Sequence, residues 1–73
     1  MEPLKIQSKG DTQFQVELHK NGLWSETPEI CIAHVLRGKR SNPNPSIPIS
    51  EIPQLIEYIA KAYQEALNFD TEG

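Results

Sequence analysis

Ile30-Cys31-Ile32-Ala33-His34-Val35-Leu36 is the stretch on which the fold turns. Apolar side chains stand at nearly every position, so they trace no single helical stripe. Upstream, Thr27-Pro28-Glu29 has the form of a helix start: Thr as N-cap, Pro at the first helical position, Glu at the positive end of the dipole. Gly38 could close such a helix. The β-branched residues and the missing stripe decide for a strand over 30–36, buried on much of both faces.

The segments on either side suit a strand. Residues 12–19 alternate strictly, with Phe14, Val16 and Leu18 on one side and Gln13, Gln15, Glu17 and His19 on the other. Residues 4–9 alternate more briefly and end at the turn-prone Gly10-Asp11. Asn21-Gly22 suits a type I′ turn, because both central residues must take positive φ, and predicts a hairpin into Leu23-Trp24-Ser25. Downstream, residues 38–45 hold two prolines, two asparagines and a glycine, which predicts a loop with neither ladder nor helix. Ser46-Ile47-Pro48-Ile49 reads as a short edge strand, since Pro48 cannot donate to a central ladder.

The last segment predicts a helix. Ser50 is placed as N-cap, Glu51 in the first turn and Pro53 where a missing N–H costs nothing. Ile52, Leu55, Ile56, Ile59, Ala60, Tyr63, Ala66 and Leu67 follow at spacings of three and four, giving about five amphipathic turns. Glu57 and Lys61 stand at a favourable i,i+4 spacing on the polar side. The predicted architecture is α+β: a three- to four-stranded antiparallel meander followed by one long C-terminal amphipathic helix (β-β-β-β-α). One domain spans residues 1–69, and 70–73 form a frayed acidic tail.

Length and charge then narrow the function. Seventy-three residues allow one thin core, of the kind that a metal, disulfides or a second copy usually supplements. The single cysteine, Cys31, permits no intrachain disulfide, and the histidines show no zinc-ligand spacing, so no cofactor or metal is expected and self-association is. The net charge of -3 is unevenly spread. Through residue 49, Lys5, Lys9, Lys20, Arg37, Lys39 and Arg40 outnumber Glu2, Asp11, Glu17, Glu26 and Glu29 by one. Beyond it, Lys61 faces Glu51, Glu57, Glu65, Asp70 and Glu72, a net of -4. The N-terminal portion is therefore open to nucleic acid. With no signal-peptide pattern, no membrane-length apolar run and an unpaired cysteine, a cytoplasmic protein without membrane partners is expected.

Motifs for enzyme chemistry are missing: no Gly-rich phosphate loop, no nucleophile elbow, no histidine pair at helical spacing. His19 reads as a solvated strand-end residue. In a strand, Cys31 and His34 point to opposite faces, which leaves Cys31 as a small core hydrophobe. For nucleic acid, the polar face of the first hairpin offers Lys5, Gln7, Lys9, Gln13, Gln15 and His19 near Trp24. Arg37, Lys39 and Arg40 would add a phosphate clamp, and cations with stacking aromatics are what single strands require. The competing reading is an ordinary solvated sheet face with Trp24 in a core or dimer interface.

Gly38-Lys39-Arg40, Ser46-Ile47-Pro48-Ile49-Ser50-Glu51, and Leu55, Ile56 and Ile59 on the helix, with Trp24 in the second or third strand, carry a resemblance. The pattern resembles the positive cofactor four family of single-stranded DNA-binding transcription coactivators, and at the same level the purine-rich-element-binding and Whirly proteins. Pro45-Ser46 stands where that family usually has a glycine preceded by lysines. The resemblance implies dimerisation through helix and sheet, with Lys39 and Arg40 as loop contacts and Trp24, Lys5 and Lys9 as sheet contacts to a single strand. The expectation is a non-enzymatic homodimeric single-stranded nucleic-acid-binding protein, an accessory factor in transcription or DNA metabolism. The alternative is a small acidic protein-binding module: an inhibitor, an antitoxin-like partner or a phage or mobile-element regulator.

Overall fold

The computed structural model describes residues 1–21 and 26–72, with backbone alone for 70–72. Among these residues, five antiparallel strands, β1 (Leu4–Gln7), β2 (Thr12–His19), β3 (Glu29–Leu36), β4 (Lys39–Arg40) and β5 (Ser46–Pro48), precede a 3-10 turn (Ile49–Glu51) and helix α1 (Ile52–Glu72). The fold is α+β, an antiparallel meander followed by one helix. Residues 30–36 form a strand, at the centre of the sheet. The predicted turn at Asn21-Gly22 and the strand at 23–25 fall on residues 22–25, outside those described.

The long pairing is β2 with β3, eight residues on each side, from Thr12 opposite Leu36 to His19 opposite Glu29. β1 adds to the other edge of β2, with Lys5 opposite Gln15 and Gln7 opposite Gln13. Gln7 ties the intervening turn together: its Nε2 donates to the carbonyls of Gly10 (3.2 Å) and Thr12 (3.1 Å), and its Oε1 accepts from Gln13 (2.9 Å).

The segment 38–45 departs from the predicted loop. Lys39–Arg40 pairs with Leu36 and Val35 across a two-residue turn in which Arg37 (φ 52) and Gly38 (φ 77) both take the left-handed conformation. That is the geometry of a type I′ hairpin turn, with arginine in a position more often held by Asn or Asp. Further along, side chains and isolated carbonyls continue the ladder. Asn44 Oδ1 accepts from the His34 amide (3.1 Å) and the Pro45 carbonyl from the Ile32 amide (3.0 Å), while the His34 carbonyl accepts from the Ser41 amide (2.8 Å). Pro43 and Pro45 are tolerated because none of these bonds needs a donor from them. β5 then occupies the remaining edge of β3, with Pro48 opposite Glu29, as expected for an edge strand.

The helix begins later than predicted. Pro48, not Ser50, occupies the cap position of the 3-10 turn and makes no side-chain cap bond, and α1 runs on through residues 70–72, read from sequence as tail.

Burial is inverted relative to the polarity of the sheet faces. Opposed residues of an antiparallel pair share a face, so Leu4, Ile6, Phe14, Val16, Leu18, Ile30, Ile32 and Leu36 form one apolar face. Yet Leu4 (60%), Ile6 (61%), Phe14, Leu18 and Leu36 are exposed, and the buried residues Glu17, Glu29, Cys31 and Ala33 all lie on the opposite, polar face. α1 does not close the apolar side: Ile56 (62%), Ile59, Tyr63 and Leu67 on its stripe are exposed, and only Ile52 and Leu55 at its start are half-buried. The radius of gyration is 14.5 Å, against about 11 Å for a compact chain of this length. The accessible surface is 6094 Å², against roughly 4,600 Å² for a compact monomer of this mass.

Asn44→Ala should cost about 1–2 kcal/mol in urea unfolding, because it strips the acceptor from the His34 amide. Hydrogen exchange at that amide should accelerate while the β1–β2 amides keep their protection.

Candidate functional site

The polar sheet face divides into a closed end and an open end. At the closed end Glu17 and Cys31 are directly opposed, and Arg40 reaches across β3 to both. Its Nη1 donates to Glu17 Oε2 and its Nη2 lies 3.3 Å from Cys31 Sγ. Gln15 Nε2 donates to the same Glu17 oxygen (2.5 Å), and His19 Nε2 lies 3.0 Å from Oε1. Ser46, opposite Cys31, donates its hydroxyl to Glu29 Oε1 (2.7 Å). Cys31 is indeed buried, at 2% exposure, but its surroundings are ionic and not apolar.

Hydrogen bonding by Arg40, above all, holds the Glu17 carboxyl down from its ordinary 4.5 to about 2; Gln15 and His19 contribute and burial opposes them. The same bond raises Arg40 above its ordinary value. Arg40 therefore serves as an internal cation for a buried carboxylate, which would otherwise be strongly destabilising.

The open end lies where the β1–β2 and β3–β4 turns meet. The Arg37 amide donates to the Asp11 carbonyl (3.0 Å), and a shallow groove there is lined by Gln7, Asp11, Gln13, Val35, Arg37 and Gly38. Lys9 sits in the adjoining turn and Lys5 two cross-strand pairs beyond Gln7. Arg37 pairs with Asp11 at 3.9 Å, but its side chain is 81% exposed, so the pair is screened and worth little. The structure thus places Arg37 in this groove, Lys9 in the turn beside it, and Lys5 farther along β1, opposite Gln15. It separates Lys39, which stands opposite Leu36 at the margin of the apolar face, and Arg40, which Glu17 engages. Trp24 lies outside the described residues.

A comparison with protein-family models, with curated proteins and with solved structures finds no match. Among the described residues, no helix is long and apolar enough to cross a membrane.

Sequence inspection missed the Glu17 cluster. Glu17, Cys31 and Arg40 are far apart along the chain, and their meeting depends on the β2–β3 register and on the Arg37-Gly38 turn. The available signal was a single acidic residue in the middle of a strand facing a strand otherwise nearly uncharged.

Arg40→Ala should lower stability at neutral pH by about 2 kcal/mol, and much less in a Glu17→Gln background, as a double-mutant cycle would read. Because the folded-state value of Glu17 lies below its unfolded one, its contribution is full above pH 4.5 and disappears as pH falls toward about 2. Glu17→Gln should flatten the stability profile across that window in acid unfolding followed by circular dichroism.

Proposed function

We propose that this chain is a non-enzymatic homodimer that binds single-stranded nucleic acid on the open end of its polar sheet face. The carrying observation is the inverted burial of the sheet. Leu4, Ile6, Phe14, Leu18 and Leu36 on its apolar face and Ile56, Ile59, Tyr63 and Leu67 on the stripe of α1 are exposed. The excess over a compact monomer, roughly 1,500 Å², comfortably exceeds the about 800 Å² per partner of a standard stable interface. A second copy is the occupant, because it brings an equal apolar sheet face and an equal helix stripe. Dimerisation through these surfaces leaves both polar faces outward.

Each outward face offers Lys5, Lys9 and Arg37 as phosphate contacts, and Gln7 and Gln13, bonded to the turn and to each other, line the groove beside Arg37. Lys39 stands at the edge, in reach of a backbone passing the β3–β4 turn. The role suited to such a platform is an accessory one in transcription or DNA metabolism.

The acidic protein-binding alternative is favoured by one observation. Arg40 and Arg37 each face a carboxylate, which lowers the free positive charge of the sheet face. In that reading Glu51, Glu57 and Glu65 along α1 dock on a basic partner.

Light scattering should give twice 8.3 kDa, and Ile59→Glu should give a folded monomer, since that side chain is exposed in the single chain. A wild-type monomer at tens of micromolar would sink the dimer. A fluorescent oligonucleotide should bind at low salt, with a logarithmic salt slope of about -4 for six phosphate contacts per dimer, a loss of roughly two orders of magnitude between 50 and 200 mM. Lys5→Glu with Arg37→Glu should abolish binding, and Trp24→Ala should weaken it. A dimer that binds no oligonucleotide at 50 mM salt would promote the protein-binding alternative.

A further inference from the structure

The closed end of the polar face holds a donor set that the nucleic-acid reading does not use. Glu17, His19 and Cys31 each present one ligand atom, and these atoms all lie within 4.8 Å of one another. The register produces this arrangement: Glu17 and Cys31 are a directly opposed pair, and His19 follows Glu17 by two residues on the same face. A cation placed among them would meet one carboxylate oxygen, one imidazole nitrogen and one sulfur.

We propose that Glu17, His19 and Cys31 form a binding site for a borderline-soft divalent cation of the zinc class, with Arg40 as the internal cation that holds the site closed without it. The donor chemistry selects the metal. Carboxylate, imidazole and thiolate together suit zinc, whereas magnesium and calcium require oxygen ligands throughout. Three protein ligands leave a fourth tetrahedral position to solvent on the side of the half-exposed His19. On binding, the Cys31 thiol gives its proton to solvent and the sulfur bonds the metal, and the His19 nitrogen that bonds it is unprotonated.

Arg40 stands where the metal's charge is needed. Its guanidinium touches both Glu17 and Cys31, two of the three ligands, so metal and guanidinium compete for the same atoms. Its side chain is 38% exposed and springs from a two-residue edge strand, which gives it a path out to water. The competition sets an internal threshold: the metal must replace the guanidinium before it can engage Glu17 and Cys31 together.

The test is a titration of the full chain with cobalt(II) as a spectroscopic stand-in, followed by zinc competition against a chromogenic chelator. The wild-type protein should develop a thiolate-to-cobalt charge-transfer band that zinc abolishes, at one metal per chain. His19→Ala and Cys31→Ser should each weaken zinc binding by more than about tenfold, and Cys31→Ser should remove the band. Arg40→Gln should tighten binding by about tenfold or more, an effect opposite in sign to its effect on stability without metal. His19→Ala alters a half-exposed strand-end residue, so circular dichroism should show it folded, and it serves as the control if Cys31→Ser does not fold. The proposal is overturned if neither wild type nor Arg40→Gln gives a thiolate band, or if His19→Ala binds zinc as tightly as wild type.

Discussion

The eight-residue ladder between β2 and β3 is the constraint on which the molecule depends. Its register alone puts Glu17 against Cys31, Gln15 against Ala33 and Phe14 against His34. A slip of one residue would send every side chain of one strand to the other face and would dissolve both the ionic cluster and the apolar face at once. β1, β4 and β5 are added to this pair, closing its edges, and β4 and β5 also bring Arg40 to Glu17 and Ser46 to Glu29. The packing of Phe14 on His34, with ring centroids 5.3 Å apart, marks the same register from the apolar side.

The second edge of β3 shows how a proline-rich segment can complete a sheet. β4 and β5 cover its two ends, and between them the Asn44 side chain and the Pro45 carbonyl stand in for a strand. Asn44 is itself held by its Nδ2, which donates to the Ser41 carbonyl at 2.6 Å, and the Ser41 hydroxyl reaches His34 Nδ1 at 3.1 Å. His34 is thereby fixed at backbone and ring by a segment whose composition reads as irregular. The segment is irregular in dihedral angles and regular in what it satisfies.

The parts of the fold legible in the sequence are those governed by local period. The alternation over 12–19, the β-branched run over 30–36 and the three-and-four spacing from Ile52 to Leu67 each state their element directly. The parts not legible are those governed by distant pairing. Nothing near Arg37 announces a left-handed arginine, nothing near Asn44 announces a side chain acting as a strand, and no spacing brings Glu17 to Arg40. Amphipathicity, too, states only that the stripe on α1 must meet something apolar. Among the described residues, Ile56, Ile59 and Tyr63 remain exposed. Of the residues expected at a nucleic-acid interface, Arg37 lies in the groove between the two turns, while the engagement of Arg40 by Glu17 follows only from the fold.

The outward apolar face has a consequence for how such a protein persists in a cell. If the apolar face is shared with a second copy as proposed, the chain has no single stability, and its stability rises with its own concentration. At low abundance the orphan copies display the kind of surface that chaperones and proteases recognise, and at high abundance that surface disappears. In the proposed dimer, the amount of protein made thus sets the lifetime of each molecule.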